Sequence, residues 1–348
     1  MATFSEFSSR SALLFCHPSM ESLAEAIKQT CDVESTKTPL SPKERSPQFK
    51  RRFQTVEFRK TIHWKSFNDG WPNLFIENVK ECAGRDVIFL GSFHSPEVVF
   101  EQISMLYTMP RYLARSFKFI LPYFPTGTME RVDTEGQVVT AKTLAMLLSQ
   151  IPSTARGPAQ IVIYDVHCLQ ERFYFSDNII PRLESAIPLL LREVTKLEDA
   201  FKRDVCIAFP DEGACKRFQS MFSDFHIITC TKIRNGDKRI VQVKEGDPDK
   251  KNVIIVDDLV QTGGTLKNCA EALMNRGAKS VSAYITHAVF PKESWKSFTT
   301  SNSNVPFKYL WITDSIPHAL EIAKHDPFKL LSLCDSISHC LLGFDLQM

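Results

Sequence analysis

Residues 252–266 (NVIIVDDLVQTGGTL) combine acidic, hydroxyl and glycine residues at a spacing that could bind an anion or a cation. A hydrophobic strand ends in two acids, Asp257 and Asp258, and a glycine-containing turn then opens a helical pattern. Glycines let the backbone approach a ligand closely, and the amides of a first helical turn attract phosphate. Adjacent carboxylates at a strand end suit ribose hydroxyls or a hydrated Mg²⁺. The segment therefore predicts a phosphate site, although a strand–turn–helix with Asp and Thr as simple caps is the plainer alternative. The turn consists of Gln261, Thr262, Gly263, Gly264 and Thr265.

Two cations, Lys232 and Arg234, follow another predicted strand at residues 226–231. Side chains two residues apart on an extended segment point to the same side, so both can converge on one anion. A solvated basic loop explains this spacing equally well.

Strands alternate with helices along nearly the whole chain, which predicts an α/β protein with parallel sheets and right-handed crossovers. Ligands of such sheets bind beyond the carboxyl ends of the strands. The pattern predicts strands at residues 86–93, 117–124, 160–164, 205–209, 252–256 and 280–286, and helices at 95–115, 137–150, 181–196, 211–221 and 265–276.

Length and charge narrow the class of protein further. A chain of 348 residues predicts two domains, and 42 Lys and Arg against 40 Asp and Glu leave a net charge of +2. No strong field therefore attracts nucleic acid or a membrane surface, and we expect neither as a partner. No run of 18 or more apolar residues is present. The ten cysteines, with no C-x-x-C pair, favour reduced thiols and a cytoplasmic location.

Composition also suggests the domain limits. We expect a tail at residues 1–10, a first domain at 11–178, a second at 179–318 and a C-terminal tail at 319–348. Residues 34–54 are rich in Ser, Pro, Lys and Arg and read as a mobile basic insertion, more simply a solvated loop than a partner contact.

The turn resembles the phosphoribosyl-diphosphate motif that type I phosphoribosyltransferases share with ribose-phosphate diphosphokinases. Further landmarks stand in the order of the diphosphokinase family: residues 67–70 (FNDG), 121–124 (LPYF), 140–142 (TAK), 164–167 (YDVH) and 210–213 (PDEG). Residues 208–214 (AFPDEGA), 231–239 (TKIRNGDKR) and 311–314 (WITD) look most like its plant-type, phosphate-independent class. The resemblance implies two similar phosphoribosyltransferase-like domains, each a mostly parallel sheet flanked by helices, with the C-terminal tail returning toward the first.

The same resemblance implies the chemistry. The enzyme would transfer the diphosphate of Mg²⁺–ATP to the C1 hydroxyl of ribose 5-phosphate, with AMP leaving. Lys232 and Arg234 match a catalytic pair on a mobile loop, and His167 and Asp211 match residues that place the metal. Asp165 is a weaker metal candidate, because it could instead orient His167.

For the nucleotide, Phe67 resembles an aromatic that stacks on adenine, and Asp69 the acid near it. Residues 126–133 correspond to a loop that grips the triphosphate, in which Glu130, Arg131 and Asp133 keep the family's charges. His167 would contact ATP as well as the metal. Family members commonly share ATP sites between subunits, which implies a homo-oligomer.

Three positions depart from the commoner family pattern. Trp71 stands where a Glu is usual near adenine, Thr128 replaces an Arg of the ATP loop, and Gln261 replaces an Asp of the turn. Thr cannot reproduce the bidentate phosphate contact of Arg. These departures motivate an alternative, a catalytically silent homologue that regulates an active synthetase. A phosphoribosyltransferase using the same turn is a third possibility, which the length of the chain disfavours.

Overall fold

The computed structural model describes residues 11–36, 55–235, 238–302 and 306–342. Two compact units divide the chain. Unit 1 contains the described residues up to Glu184 and those from Leu333 onward, and unit 2 contains the described residues of Ser185–Ser332. In the described part of the chain, none of the helices combines the length and the apolar character that crossing a membrane requires.

Unit 1 is built on a six-stranded sheet in which all neighbouring strands are parallel. Its strand order is β2-β1-β5-β6-β7-β8, and β3 and β4 form a separate antiparallel hairpin. The strands are β1 (Ser11–Cys16), β2 (Thr55–Phe58), β3 (Ile62–Ser66), β4 (Pro72–Ile76), β5 (Asp86–Leu90), β6 (Ser116–Leu121), β7 (Ala159–Tyr164) and β8 (Ile179–Glu184). The helices are α1 (Glu21–Thr36), α2 (Glu97–Thr108) and α3 (Thr140–Leu148).

Unit 2 is built on a seven-stranded sheet of order β11-β10-β9-β12-β13-β14-β15. Only the β10–β11 pair is antiparallel among its described pairings. The strands are β9 (Val205–Phe209), β10 (His226–Asn235), β11 (Lys238–Glu245), β12 (Asn252–Val260), β13 (Ser280–Ala288), β14 (Phe307–Thr313) and β15 (Phe328–Leu331). The helices are α4 (Ile187–Lys196), α5 (Asp199–Lys202), α6 (Glu212–Phe218), α7 (Gly264–Asn275) and α8 (Ala319–Ile322).

The α/β prediction is confirmed, with particular corrections at element ends. Residues 181–184, predicted as the start of a helix, complete strand β8, which pairs with β7 at the edge of the first sheet. The boundary between units consequently falls after Glu184 rather than after residue 178. The strand predicted at 117–124 ends at Leu121 because Pro122 has no amide hydrogen to continue a ladder.

The segment from residue 319 to the C-terminus is divided between the units. α8 and β15 belong to unit 2, whereas α9 (Cys334–Leu342) belongs to unit 1 and packs on α1. The Thr30 hydroxyl lies 3.2 Å from the Cys334 sulfur, and the Ser338 hydroxyl donates to the Ile27 carbonyl at 3.5 Å. Of the basic insertion predicted at 34–54, residues 34–36 finish α1 and the others lie outside the described residues, as do the predicted tail at 1–10 and residues 343–348.

Candidate active site

The glycine turn lies where β12 leads into α7, and its conformation requires glycine at one position. Gly263 precedes the helix with φ 82°, and a Cβ at this position would clash with the ring of Phe298. A Cβ on Gly264 would meet no other atom within 4 Å. Thr262 and Gln261 are exposed. The turn therefore presents its backbone to the surface, with a buried aromatic ring behind it.

The two acids of the motif lie within β12, because this strand runs on to Val260 instead of ending at 256 as predicted. Asp258 is buried, and its amide donates to the Asp257 carboxylate at 3.0 Å. Burial raises the pKa of Asp257 well above its usual range, and the charges of Asp258 and Asp211 raise it further. Three carboxylates thus crowd one region, where a cation would lower their repulsion.

Asp211, which follows β9, meets Lys232, which lies within β10 because that strand runs on to Asn235 instead of ending at 231 as predicted. One oxygen of Asp211 caps α6 by accepting the Ala214 amide at 3.0 Å, and the other accepts the Lys232 ammonium at 2.6 Å. Burial alone would raise the pKa of Asp211, but the donors from Lys232 and Ala214 outweigh it and lower this pKa. The predicted catalytic lysine and the predicted metal ligand are therefore in direct contact. Arg234 lies two residues further along β10, and its side chain is outside what the structure describes.

The nucleobase candidates lie at the tip of the β3–β4 hairpin in unit 1. The Phe67 amide donates to the Trp71 carbonyl at 2.8 Å, and the Asp69 carboxylate accepts the Trp71 amide at 3.2 Å. Phe67 is 56% exposed and Trp71 60% exposed, and the Trp71 ring packs edge-on against Phe100 at 5.3 Å. Asp69 thus closes the turn, while two aromatic rings flank it.

Trp71 is a candidate that the sequence analysis treated only as a departure from the family pattern. It lies directly across the hairpin from Phe67, and its ring is exposed to a similar extent. The signal that could have identified it is an aromatic residue on each side of a short Asn-Asp-Gly turn.

The predicted triphosphate loop is a compact turn that packs beside His167. The Met129 amide donates to the Thr126 carbonyl at 2.8 Å, and a Cβ on Gly127 would lie 3.3 Å from the His167 Cβ. Arg131 is 73% exposed and contacts Asp133 at 3.3 Å. The Arg131 guanidinium also lies 3.7 Å from the Glu130 carboxylate. The three charged residues of this loop therefore form one surface cluster.

Asp165 and His167 follow β7 at the same end of the sheet. Asp165 is fully buried with φ 36°, a strained value for a residue other than glycine, and its amide donates to the Glu184 carbonyl at 2.9 Å. His167 is exposed. Both belong to unit 1, whereas Asp211 belongs to unit 2. Within the described residues, no group of three or more His, Cys, Asp and Glu side chains could hold a metal ion by itself. Mg²⁺ usually needs only one or two carboxylates, with water and substrate phosphates.

The parallel sheet and the glycine turn define the class of unit 2, a phosphoribosyltransferase-type domain. A family model described as "Phosphoribosyl transferase domain" matches residues 201–304. A second model, "N-terminal domain of ribose phosphate pyrophosphokinase", matches residues 12–151.

Whole-chain comparisons agree with these domain matches. Ribose-phosphate pyrophosphokinase 4 of Oryza sativa subsp. japonica is 52% identical over 77% of this chain and 82% of its own length. Ribose-phosphate pyrophosphokinase 3, mitochondrial, of Spinacia oleracea is 45% identical over 92% of this chain and 74% of its own. The crystal structure of phosphoribosylpyrophosphate synthetase from Mycobacterium smegmatis has the same fold, with a TM-score of 0.75 at 20% identity over 97% of this chain and 100% of that one. The chain belongs to the ribose-phosphate pyrophosphokinase family, and the prediction of an enzyme of this family is confirmed.

Proposed function

We propose that this chain transfers the diphosphate of Mg²⁺–ATP to the C1 hydroxyl of ribose 5-phosphate, with AMP as the second product. The observation that carries the proposal is the contact of Lys232 with Asp211 beside Asp257, in the unit that also bears the glycine turn. A cation, several carboxylates and a phosphate-binding turn are the parts that diphosphate transfer to a sugar phosphate requires.

Ribose 5-phosphate would bind through its phosphate to residues 261–265, with its hydroxyls near Asp257 and Asp258. The amides at the start of α7 favour an anion because the helix dipole is positive there. A conformation that is already set in the protein costs no ordering when the phosphate arrives. The turn would therefore anchor the sugar while leaving its C1 hydroxyl to react.

The residues present fit a magnesium ion. Mg²⁺ prefers hard oxygen ligands, and the charges of Asp258 and Asp211, which raise the pKa of Asp257, support a cation among these three carboxylates. We assign Asp211, His167 and Asp165 to the ion and its nucleotide. When bound, Mg²⁺ would neutralise phosphate charge and lower the pKa of a bound hydroxyl.

For the nucleotide, we assign Phe67 to the base, with Asp69 shaping the hairpin turn beneath it. Glu130, Arg131, Asp133 and His167 line the loop assigned to the triphosphate. Trp71 offers a second aromatic face, and aromatic stacking tolerates different bases because every base has a π-face.

Lys232, with Arg234, would stabilise the charge that develops on the transferred diphosphate. Preorganised cations act most strongly on a transition state that spreads negative charge over phosphoryl oxygens. In the structure the Lys232 ammonium is paired with the Asp211 carboxylate. Lys232 would therefore have to leave that carboxylate to reach the diphosphate.

The test is AMP release from ATP and Mg²⁺ with and without ribose 5-phosphate, each with and without added phosphate. Release that depends on the sugar phosphate but not on added phosphate supports the proposal and the plant-type class. No release under any condition would remove the catalytic proposal and leave the regulatory homologue. The Lys232→Ala variant must lose the activity if the chain itself is the catalyst.

We further propose a homo-oligomer and a cytoplasmic location. Light scattering of the purified chain tests the first. A fluorescent fusion of the full chain tests the second, and it has a clear alternative outcome because the spinach relative is named mitochondrial.

A further inference from the structure

The 3₁₀ helix Pro291–Phe298, here called the brace, lies against the ribose-phosphate turn and has no role in the proposed chemistry. It begins three residues after β13 ends. In the intervening connection, the Val289 amide donates to the Val260 carbonyl at 3.1 Å. Further along, the Ser294 hydroxyl donates to the Gln261 carbonyl at 3.3 Å. The brace thus contacts the backbone on the strand side of the turn.

The last residue of the brace, Phe298, lies against the turn itself. Its ring occupies the space that a Cβ on Gly263 would need, so ring and glycine are in close contact. Phe298 is fully buried, and its position is held by Phe290 at 5.4 Å and Phe307 at 5.8 Å. The Lys267 ammonium, from the first turns of α7, lies 4.6 Å from the ring centroid. The Phe298 ring is therefore fixed by its neighbours and packs directly against the turn.

The brace is also a strained segment. Phe290, Lys292 and Glu293 have φ values of 38°, 52° and 57°, which residues other than glycine rarely adopt. Such conformations persist only where the surrounding structure holds them, and they cluster at functional sites. In the brace, Trp295 anchors the strained residues, because it is buried and its ring packs on that of His325 at 4.7 Å. Backbone strain in a segment that contacts the turn indicates that the conformation of this segment contributes to the function of the turn.

We propose that Phe298 is a positioning residue for ribose 5-phosphate binding, acting through Gly263 and supported by the brace. The ring keeps Gly263 in its left-handed conformation, which aims the following amides of α7 at the phosphate. Phe298 touches no reacting atom, so its effect falls on affinity for the sugar phosphate and not on the transfer step. This inference rests on the proposed function, because it assigns the turn to ribose 5-phosphate.

The experiment compares Phe298→Leu with Phe201→Leu. Phe201 is a matched control because it is also buried in unit 2 with a lysine over its ring, Lys308 at 4.4 Å, but belongs to a different core cluster. We expect Phe298→Leu to raise the Kd and KM for ribose 5-phosphate about tenfold, with kcat and the KM for ATP within about twofold. Phe201→Leu should leave all four constants within about twofold, even if its melting temperature falls equally.

Equal effects of both variants on ribose 5-phosphate, or an unchanged Kd in Phe298→Leu, would overturn the inference. If Phe298→Leu does not fold, Ser294→Ala tests the same idea by removing the hydrogen bond from the middle of the brace to Gln261, and an unchanged Kd for ribose 5-phosphate in this variant would overturn the inference. Isothermal titration with ribose 5-phosphate separates this outcome from a failure of the proposed function. A wild-type chain that binds the sugar phosphate but releases no AMP contradicts the catalytic proposal while leaving the role of Phe298 open to the same measurement.

Discussion

The turn of unit 2 that we propose binds ribose 5-phosphate and the hairpin tip of unit 1 are built in opposite ways. The turn is made of backbone that packs against the buried ring of Phe298. The hairpin tip is made of side chains, with Phe67 and Trp71 more than half exposed. A site of the first kind tolerates little change because its geometry is part of the core. A site of the second kind can change its residues without disturbing the fold, and Trp71 and Thr128, two of the three departures from the family pattern, lie in such exposed segments.

The largest expected effect concerns Lys232, the cation paired with Asp211 in the same unit as the turn. Lys232→Ala should lower kcat about 10³-fold, because it removes a preorganised charge from the transferred diphosphate. The KM for ribose 5-phosphate should change little, since the turn remains intact. Steady-state AMP release measures both constants.

A matched control for this variant is Lys244→Ala. Lys244 is also exposed and pairs with the neighbouring acid, Glu212, at 2.5 Å. Its loss should leave kcat within about twofold, because exposed ion pairs contribute little. A similar fall in kcat for both variants would mean that Lys232 contributes only to the overall positive charge of this surface and has no specific contact with the diphosphate.

The next largest effect tests the rigid turn directly. Gly263→Ala should lower kcat/KM for ribose 5-phosphate about 10²-fold, because a methyl group at φ 82° would clash with Phe298 and displace the amides. Gly277→Ala is the control: Gly277 has φ 92°, its Cβ would clash with Asp249, and it follows the far end of α7. Both variants should lose stability, but only Gly263→Ala should lose affinity for the sugar phosphate.

The hairpin prediction is smaller and concerns the other substrate. Trp71→Ala should raise the KM for ATP about tenfold, as expected for the loss of one aromatic stacking partner, and leave the KM for ribose 5-phosphate unchanged. Phe75→Ala changes an equally exposed ring on β4 of the same hairpin and should have no effect on either constant. A rise in the KM for ribose 5-phosphate in Trp71→Ala would contradict the assignment of one substrate to each of the two regions.

The smallest effect is on stability and depends on pH. The pKa of Asp257 is raised in the folded chain, so the native state holds this proton more tightly than the unfolded chain, and ionisation costs stability as pH rises above about 4. Asp257→Asn removes that cost, so with EDTA it should raise the melting temperature by about 3 °C at pH 8 and by less at pH 5. Calorimetry at the two pH values checks the sign, and a gain that is larger at pH 5 contradicts the assignment.

Much of the fold follows from the sequence because strand and helix periods are local properties. The run at residues 205–209 is strand β9 with the predicted limits, and the predicted helix at 265–276 differs from α7 by one residue at each end. Local pattern could not assign residues 181–184, since their strand conformation depends on pairing with β7. Local pattern could not predict the brace either. Phe290, directly before it, and Lys292 and Glu293 within it adopt left-handed angles that only tertiary packing maintains.

For the site, the residue types and their order in the chain were enough to predict a phosphate-binding turn and to identify the family. Glycine, threonine and aspartate at those spacings have few other uses together, and their chemistry does not depend on distant residues. Only the tertiary structure placed Lys232 on Asp211, brought Asp211 close to Asp257 and set Phe298 against Gly263. Those contacts join residues that lie between 21 and 46 positions apart along the chain, and distance through space between such residues is decided by strand order in the sheet, which no local pattern encodes.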